Sequence, residues 1–101
     1  MVILKHWNLS KIWDNGSVQI YYSSKFEKQY RKLPLSIKDV AEEKEAIFRS
    51  NPFDASLKTH KLHGKLCKYY SFSLNNKYRI IFDFDEDKNV RFHNIGTHDI
   101  Y

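Results

Sequence analysis

Three polar clusters follow one another along the last two thirds of this chain: Thr59-His60-Lys61-Leu62-His63-Gly64, Tyr78-Arg79-Ile80-Ile81-Phe82, and Ile95-Gly96-Thr97-His98-Asp99-Ile100-Tyr101. Between them they hold imidazoles, a guanidinium and a terminal aromatic. Histidine exchanges protons near neutral pH, and arginine carries a fixed positive charge. Such a set suffices to cut an RNA phosphodiester without a metal. The 2′-hydroxyl is itself the nucleophile, so only proton transfer and charge stabilisation remain to be supplied.

Each residue alone says less. His60 sits among Lys58, Lys61 and Lys65 and reads as a loop histidine in water. His63, between Leu62 and Gly64, reads as structural or exposed. Arg79 in mid-strand must be solvated, paired with a carboxylate such as Asp83 on the same face, or held for a phosphate. His98 follows Gly96-Thr97 at the end of the last strand, where a turn can present the ring to a cleft. His93 lies within a strand and reads as packed or solvated rather than catalytic, and Tyr101 is the terminal residue.

The elements that must position these groups follow from periodicity. Residues 1–16 are rich in bulky apolar groups without a clean period and read as an extension, or as an extra strand turned back by Asp14-Asn15-Gly16-Ser17. Val18, Ile20 and Tyr22 alternate with Gln19 and Tyr21, predicting a first core strand. Ser23 or Ser24 can cap a helix whose apolar stripe is Phe26, Tyr30 and Leu33, ended by Pro34. A second helix from Leu35-Ser36 buries Ile37, Val40, Ala41, Ile47 and Phe48, turns Lys38, Asp39, Glu42, Glu43 and Glu45 to water, and stops at Asn51-Pro52. Alternation then predicts a hairpin: Tyr70, Phe72 and Leu74, a turn at Asn75-Asn76, and Tyr78, Ile80, Phe82 and Phe84. Arg79, Ile81 and Asp83 must point the other way. A last strand runs from about Asn89 to Ile95, with a bulge, since Phe92 and Ile95 cannot both face the core on a regular strand. The expected fold is α+β in the order β-α-α-β-β-β, a helical hairpin on one face of a mainly antiparallel sheet.

Bulk properties agree. A chain of 101 residues, 42% hydrophobic and 16% aromatic, makes one domain, residues 1–101, that buries roughly 60 to 70% of its unfolded surface. A formal charge of +5 favours a polyanionic partner such as nucleic acid, or an acidic protein. The single cysteine, Cys67, excludes an internal disulfide and reads as a small buried hydrophobe. Val2-Ile3-Leu4 is too short for a signal peptide or a membrane span, so a soluble, cytoplasmic protein is expected.

Over residues 18–101 the order and spacing of these clusters resemble the RelE/ParE superfamily of bacterial toxins, and within it the YafQ-like mRNA interferases. The resemblance implies a RelE-like fold and the toxin of a type II toxin-antitoxin system, one that enters the ribosomal A site. There it would cleave messenger RNA without a metal or cofactor, leaving a 2′,3′-cyclic phosphate and a 5′-hydroxyl. It implies His60 as general base and His98 as general acid, or the reverse, with Arg79 stabilising the phosphorane. Tyr101 would stack on or orient a base, Lys58, Lys61 and Lys65 would bind phosphates or ribosomal RNA, and a small acidic antitoxin would be the partner. One departure stands out. YafQ-like members place a further histidine and an aspartate where this chain has Ser73 and Lys77. Arg79, Lys77 and the remaining histidines must then suffice, with His63 as a substitute, or activity is reduced. The alternatives are a ParE-like gyrase inhibitor and a catalytically weak member that binds RNA or protein.

Overall fold

Ser23 starts the first helix by local chemistry. Its hydroxyl oxygen accepts from the Phe26 amide at 3.0 Å, satisfying a helix N–H that has no backbone partner. The same hydroxyl donates to the His93 carbonyl at 2.9 Å, which ties the start of this helix, α1 (Ser24–Arg31), to the sheet. Pro34, with φ −57°, leads into α2 (Leu35–Ser50). The computed structural model describes residues 19–97, so the expectations for residues 1–16, His98 and Tyr101 lie outside the described residues.

Among the described residues five strands form one sheet: β1 (Ile20–Tyr22), β2 (His60–Lys61), β3 (Tyr70–Ser73), β4 (Arg79–Phe84) and β5 (Val90–Gly96), in spatial order β1-β5-β4-β3-β2. β1 runs parallel to β5 and the other pairs are antiparallel. The expected order of elements is recovered with one addition. His60 and Lys61, read as loop, pair with Ser71 and Tyr70 as a short edge strand.

Both helices cover one face of the sheet. Phe26, Tyr30, Ala41 and Phe48 pack on Ile20, Phe72, Ile80, Phe82, Val90, Phe92 and Ile95. The Phe48 ring lies 4.9 Å from Phe72 and 5.0 Å from Phe82, and truncating so buried a ring costs about 3–5 kcal/mol. Glu45 departs from expectation. It is 3% exposed rather than facing water, because it lies four residues after Ala41 on the inward stripe of α2. Arg49, one turn on, binds it through Nε at 2.7 Å and Nη2 at 2.6 Å, and the Tyr22 hydroxyl donates to it at 3.1 Å. Burial, and then the Glu45 charge, push the Tyr22 hydroxyl far above the ordinary tyrosine range, so it stays protonated.

The expected bulge is present. Phe82 pairs with Phe92, but the next residue back, Ile81, pairs with Asn94, which leaves His93 as the extra residue of β5. Both Phe92 and Ile95 thereby reach the core. The Ile95 amide at this irregularity finds the Gln29 side-chain oxygen at 2.9 Å. Cys67 is exposed rather than buried, since it directly follows the 3-10 turn Gly64–Leu66, which buries none of its residues. No described helix is long and apolar enough to cross a membrane.

Candidate functional site

Register fixes what the sheet face away from α1 and α2 presents. Residues directly opposite one another share a face. One row is therefore Ser73, Arg79 and Gly96, and the next is His60, Ser71, Ile81 and Asn94. The third is Asp83, Arg91 and Tyr21. Arg79, Ile81 and Asp83 thus point away from the helices, as the alternation requires.

Arg79 is half-buried, and its Nη1 donates to Ser73 Oγ at 3.3 Å. Of the three expected environments for this guanidinium, pairing with Asp83 is the one not found. Asp83 is taken by Arg91, whose Nε and Nη2 donate at 2.9 Å and 2.6 Å. Asp83 also lies 2.7 Å from His93 Nε2. Burial by itself would raise the Asp83 pKa, but the hydrogen bonds from Arg91 and His93 outweigh it and hold the carboxyl below its ordinary range. A carboxylate only accepts, so the neutral His93 ring carries its proton on Nε2 and leaves Nδ1 as the acceptor. The Tyr69 ring meets His93 edge-on at 5.2 Å.

Beside His93 opens a cleft of about 700 Å³, within the size range of ligand pockets. Ile81 and Asn94 line it from the sheet, His63, Lys65 and Leu66 from the 3-10 turn, and Ser23 and Lys25 from the start of α1. The turn depends on Gly64, whose φ of +68° is the left-handed conformation that glycine adopts freely. Asn94 Oδ1 is buried and makes no hydrogen bond within the described residues.

The residues singled out in the sequence fall into separate groups. His63 and Lys65 line the cleft. His60 stands exposed on the edge strand, its Nδ1 donating to the Lys58 carbonyl at 3.1 Å. Lys58, with φ 53°, and Lys61 are exposed beside it, and by register Lys61 shares the Tyr70 side of the sheet rather than the open face. Lys77 is exposed in the turn between β3 and β4, where Asn75 Oδ1 accepts from its amide and from that of Tyr78. The residue the sequence discounted is His93, which the cleft places with His63. A signal for it existed: a bulge between Phe92 and Ile95 must put His93 or Asn94 on the face already assigned to Asp83. Among the described residues, no three His, Cys, Asp or Glu side chains gather as metal ligands.

The sequence model of a family described as HigB-like, the RelE-like toxin of type II toxin-antitoxin system HigB, matches residues 3–98. No curated protein matches by sequence. Among solved structures, the chain is similar to the YoeB/ParE toxin from Agrobacterium tumefaciens, with TM-score 0.68 and 12% identity over 80% of this chain and 99% of that one. It is similar to the toxin-antitoxin complex RelBE2 from Mycobacterium tuberculosis, with TM-score 0.67 and 17% identity over 81% and 99%. The E. coli DinJ-YafQ toxin-antitoxin complex gives TM-score 0.64 and 22% identity over 82% and 94%. At these identities the structural likenesses establish the fold.

Proposed function

Because the chain belongs to the HigB-like family of RelE-like toxins of type II toxin-antitoxin systems, we propose that it is an endoribonuclease that cuts messenger RNA in the ribosomal A site without a metal. In this reading the 2′-oxygen attacks the adjacent phosphorus as the bond from phosphorus to O5′ breaks. The products are a 2′,3′-cyclic phosphate and a 5′-hydroxyl. One proton leaves the 2′-hydroxyl and one reaches O5′, so a base and an acid are required and no co-reactant is consumed.

The observation that carries the reading is that Arg79 and a lysine- and imidazole-lined cleft share the sheet face away from the helix-packed core. Arg79 and Asn94 lie one strand apart and two residues along, roughly 8 Å between Cα positions, so one phosphodiester can lie between guanidinium and cleft. Arg79 is the group to hold the phosphorane charge. His60 and His98 are the proton-transfer pair that the family resemblance carries over, and Tyr101 is the base-stacking aromatic. Lys58, Lys61, His63, Lys65 and Lys77 contact the flanking RNA. Relatives solved as toxin-antitoxin complexes and a charge of +5 support an acidic antitoxin as partner.

The test is to induce the chain in growing cells and map the 5′ ends of messenger RNA. The expected outcome is cuts at defined codon positions that vanish in Arg79→Gln and His98→Gln. Intact messages accompanied by DNA-damage signalling would instead assign it to the gyrase-inhibiting branch of the superfamily.

A further inference from the structure

We infer that the group taking the proton from the 2′-hydroxyl is His93, not His60, with Asp83 as its positioning residue. This rests on the endoribonuclease reading and changes only the base. His93 has what a base needs: a fixed tautomer, partial exposure and a place for substrate beside it. Asp83 at 2.7 Å accepts the hydrogen bond from Nε2–H, and Arg91 fixes that carboxylate in turn through two hydrogen bonds. The His93 side chain is 30% exposed against 12% for Asp83, so the carboxylate is covered while the ring reaches the cleft it lines. Nδ1 makes no hydrogen bond within the described residues. His60 differs in its surroundings: its Nδ1 hydrogen bond goes to the Lys58 carbonyl rather than to a carboxylate, and it is exposed on the sheet edge, outside the cleft.

The pair also answers the departure at Ser73 and Lys77. A histidine and an aspartate absent from those positions recur on the same face, supplied by β5 and β4. The bulge makes this possible, because only an extra residue in β5 lets His93 leave the core side while Phe92 and Ile95 keep it.

In the step itself, His93 Nδ1 accepts the 2′-hydroxyl proton as the 2′-oxygen bonds to phosphorus. The resulting imidazolium is stabilised by the Asp83 carboxylate, and Arg79 holds the phosphorane oxygens. A separate acid protonates the departing O5′. The charged and titratable groups facing His93 are Asp83 and Arg91 on the sheet, Tyr69 beside its ring, His63 and Lys65 at the 3-10 turn, and Lys25 on α1. The lysines are suited to the phosphates on either side of the scissile bond.

The experiment is single-turnover cleavage of messenger RNA on purified translating ribosomes by the wild type, His93→Ala and His93→Gln, with added imidazole. His93→Ala is expected to cleave about 10²–10⁴-fold more slowly while remaining folded at the assay temperature. Imidazole, small enough for the vacated site, restores part of the rate. His93→Gln keeps a hydrogen-bonding side chain next to Asp83, guarding against a folding defect in the alanine variant, and is expected to be as slow. Wild-type cleavage with both variants within about threefold would overturn the inference. So would loss in His93→Ala that imidazole does not recover at any pH. Failure of the wild type itself would instead strike the endoribonuclease reading underneath.

Discussion

Two regions of the open sheet face are built differently. At the hairpin end, Arg79 rises from a regular strand and meets Ser73 across the β3-β4 ladder. Around the bulge, His93, Asp83 and Arg91 form a hydrogen-bonded triad beside a cleft closed by a 3-10 turn and the start of α1. The first needs only alternation along one strand. The second needs an irregular strand, two neighbouring strands and Ser23 holding α1 against the His93 carbonyl. A cation can be placed by local order, whereas an oriented imidazole takes tertiary structure to hold its tautomer.

The sharpest test of whether the two regions serve one phosphodiester is to remove both. In the double variant Arg79→Gln, His93→Ala, the cleavage rate should fall by about 10³–10⁵, less than the product of the single losses, because groups acting on one transition state are not additive. A full product in single-turnover kinetics would mean that the two regions act independently. Arg79→Gln alone should lower kcat by about 10²–10³ with little change in KM, as expected for a group that acts on developing charge.

The lysines around the cleft should behave otherwise. Lys65→Ala and Lys25→Ala raise KM a few-fold, leave kcat nearly intact, and each reduce the salt slope of RNA binding by about one. A kcat effect as large as that of Arg79→Gln would move them from flanking contact to chemistry. His60→Gln sharpens the contrast further: the rate stays within about threefold if the bulge supplies the base.

A smaller effect should appear in stability. The Asp83 pKa is lowered in the folded state, so folding favours its ionised form. The stability it contributes is present above the ordinary carboxylate pKa of about 3.9 and is lost as pH falls through the lower folded value. The gap in thermal midpoint between wild type and Asp83→Asn should therefore be widest near neutrality and shrink below about pH 4. A gap independent of pH would mean that the Asp83 charge is not what ties β4 to β5.

The sequence was legible wherever one period ruled. Alternation placed Arg79, Ile81 and Asp83 on the open face, the Phe26, Tyr30 and Leu33 stripe placed the first helix, and incompatible Phe92 and Ile95 required the bulge. It misled where residue chemistry and period disagreed. Glu45 lies on the inward stripe of α2 by spacing, and only its Arg49 and Tyr22 partners make that burial tolerable. His93 reads as packed or solvated in the sequence because a strand histidine carries no local mark of its partners. Its hydrogen-bond partner is Asp83, ten residues earlier on the neighbouring strand. His63 alone reads as structural or exposed, and with the family resemblance as an RNA contact or a substitute in the chemistry; the turn at Gly64 brings it into the His93 cleft.

The most direct test of the central claim is the chemistry of the cut ends. Messenger RNA cleaved on ribosomes by the purified chain should carry a 2′,3′-cyclic phosphate on one fragment and a 5′-hydroxyl on the other, with both formed about 10²–10³-fold more slowly by Arg79→Gln. Fragments bearing a 5′-phosphate, or messages left whole by an active wild-type preparation, would contradict attack by the 2′-oxygen and with it the account given of this face.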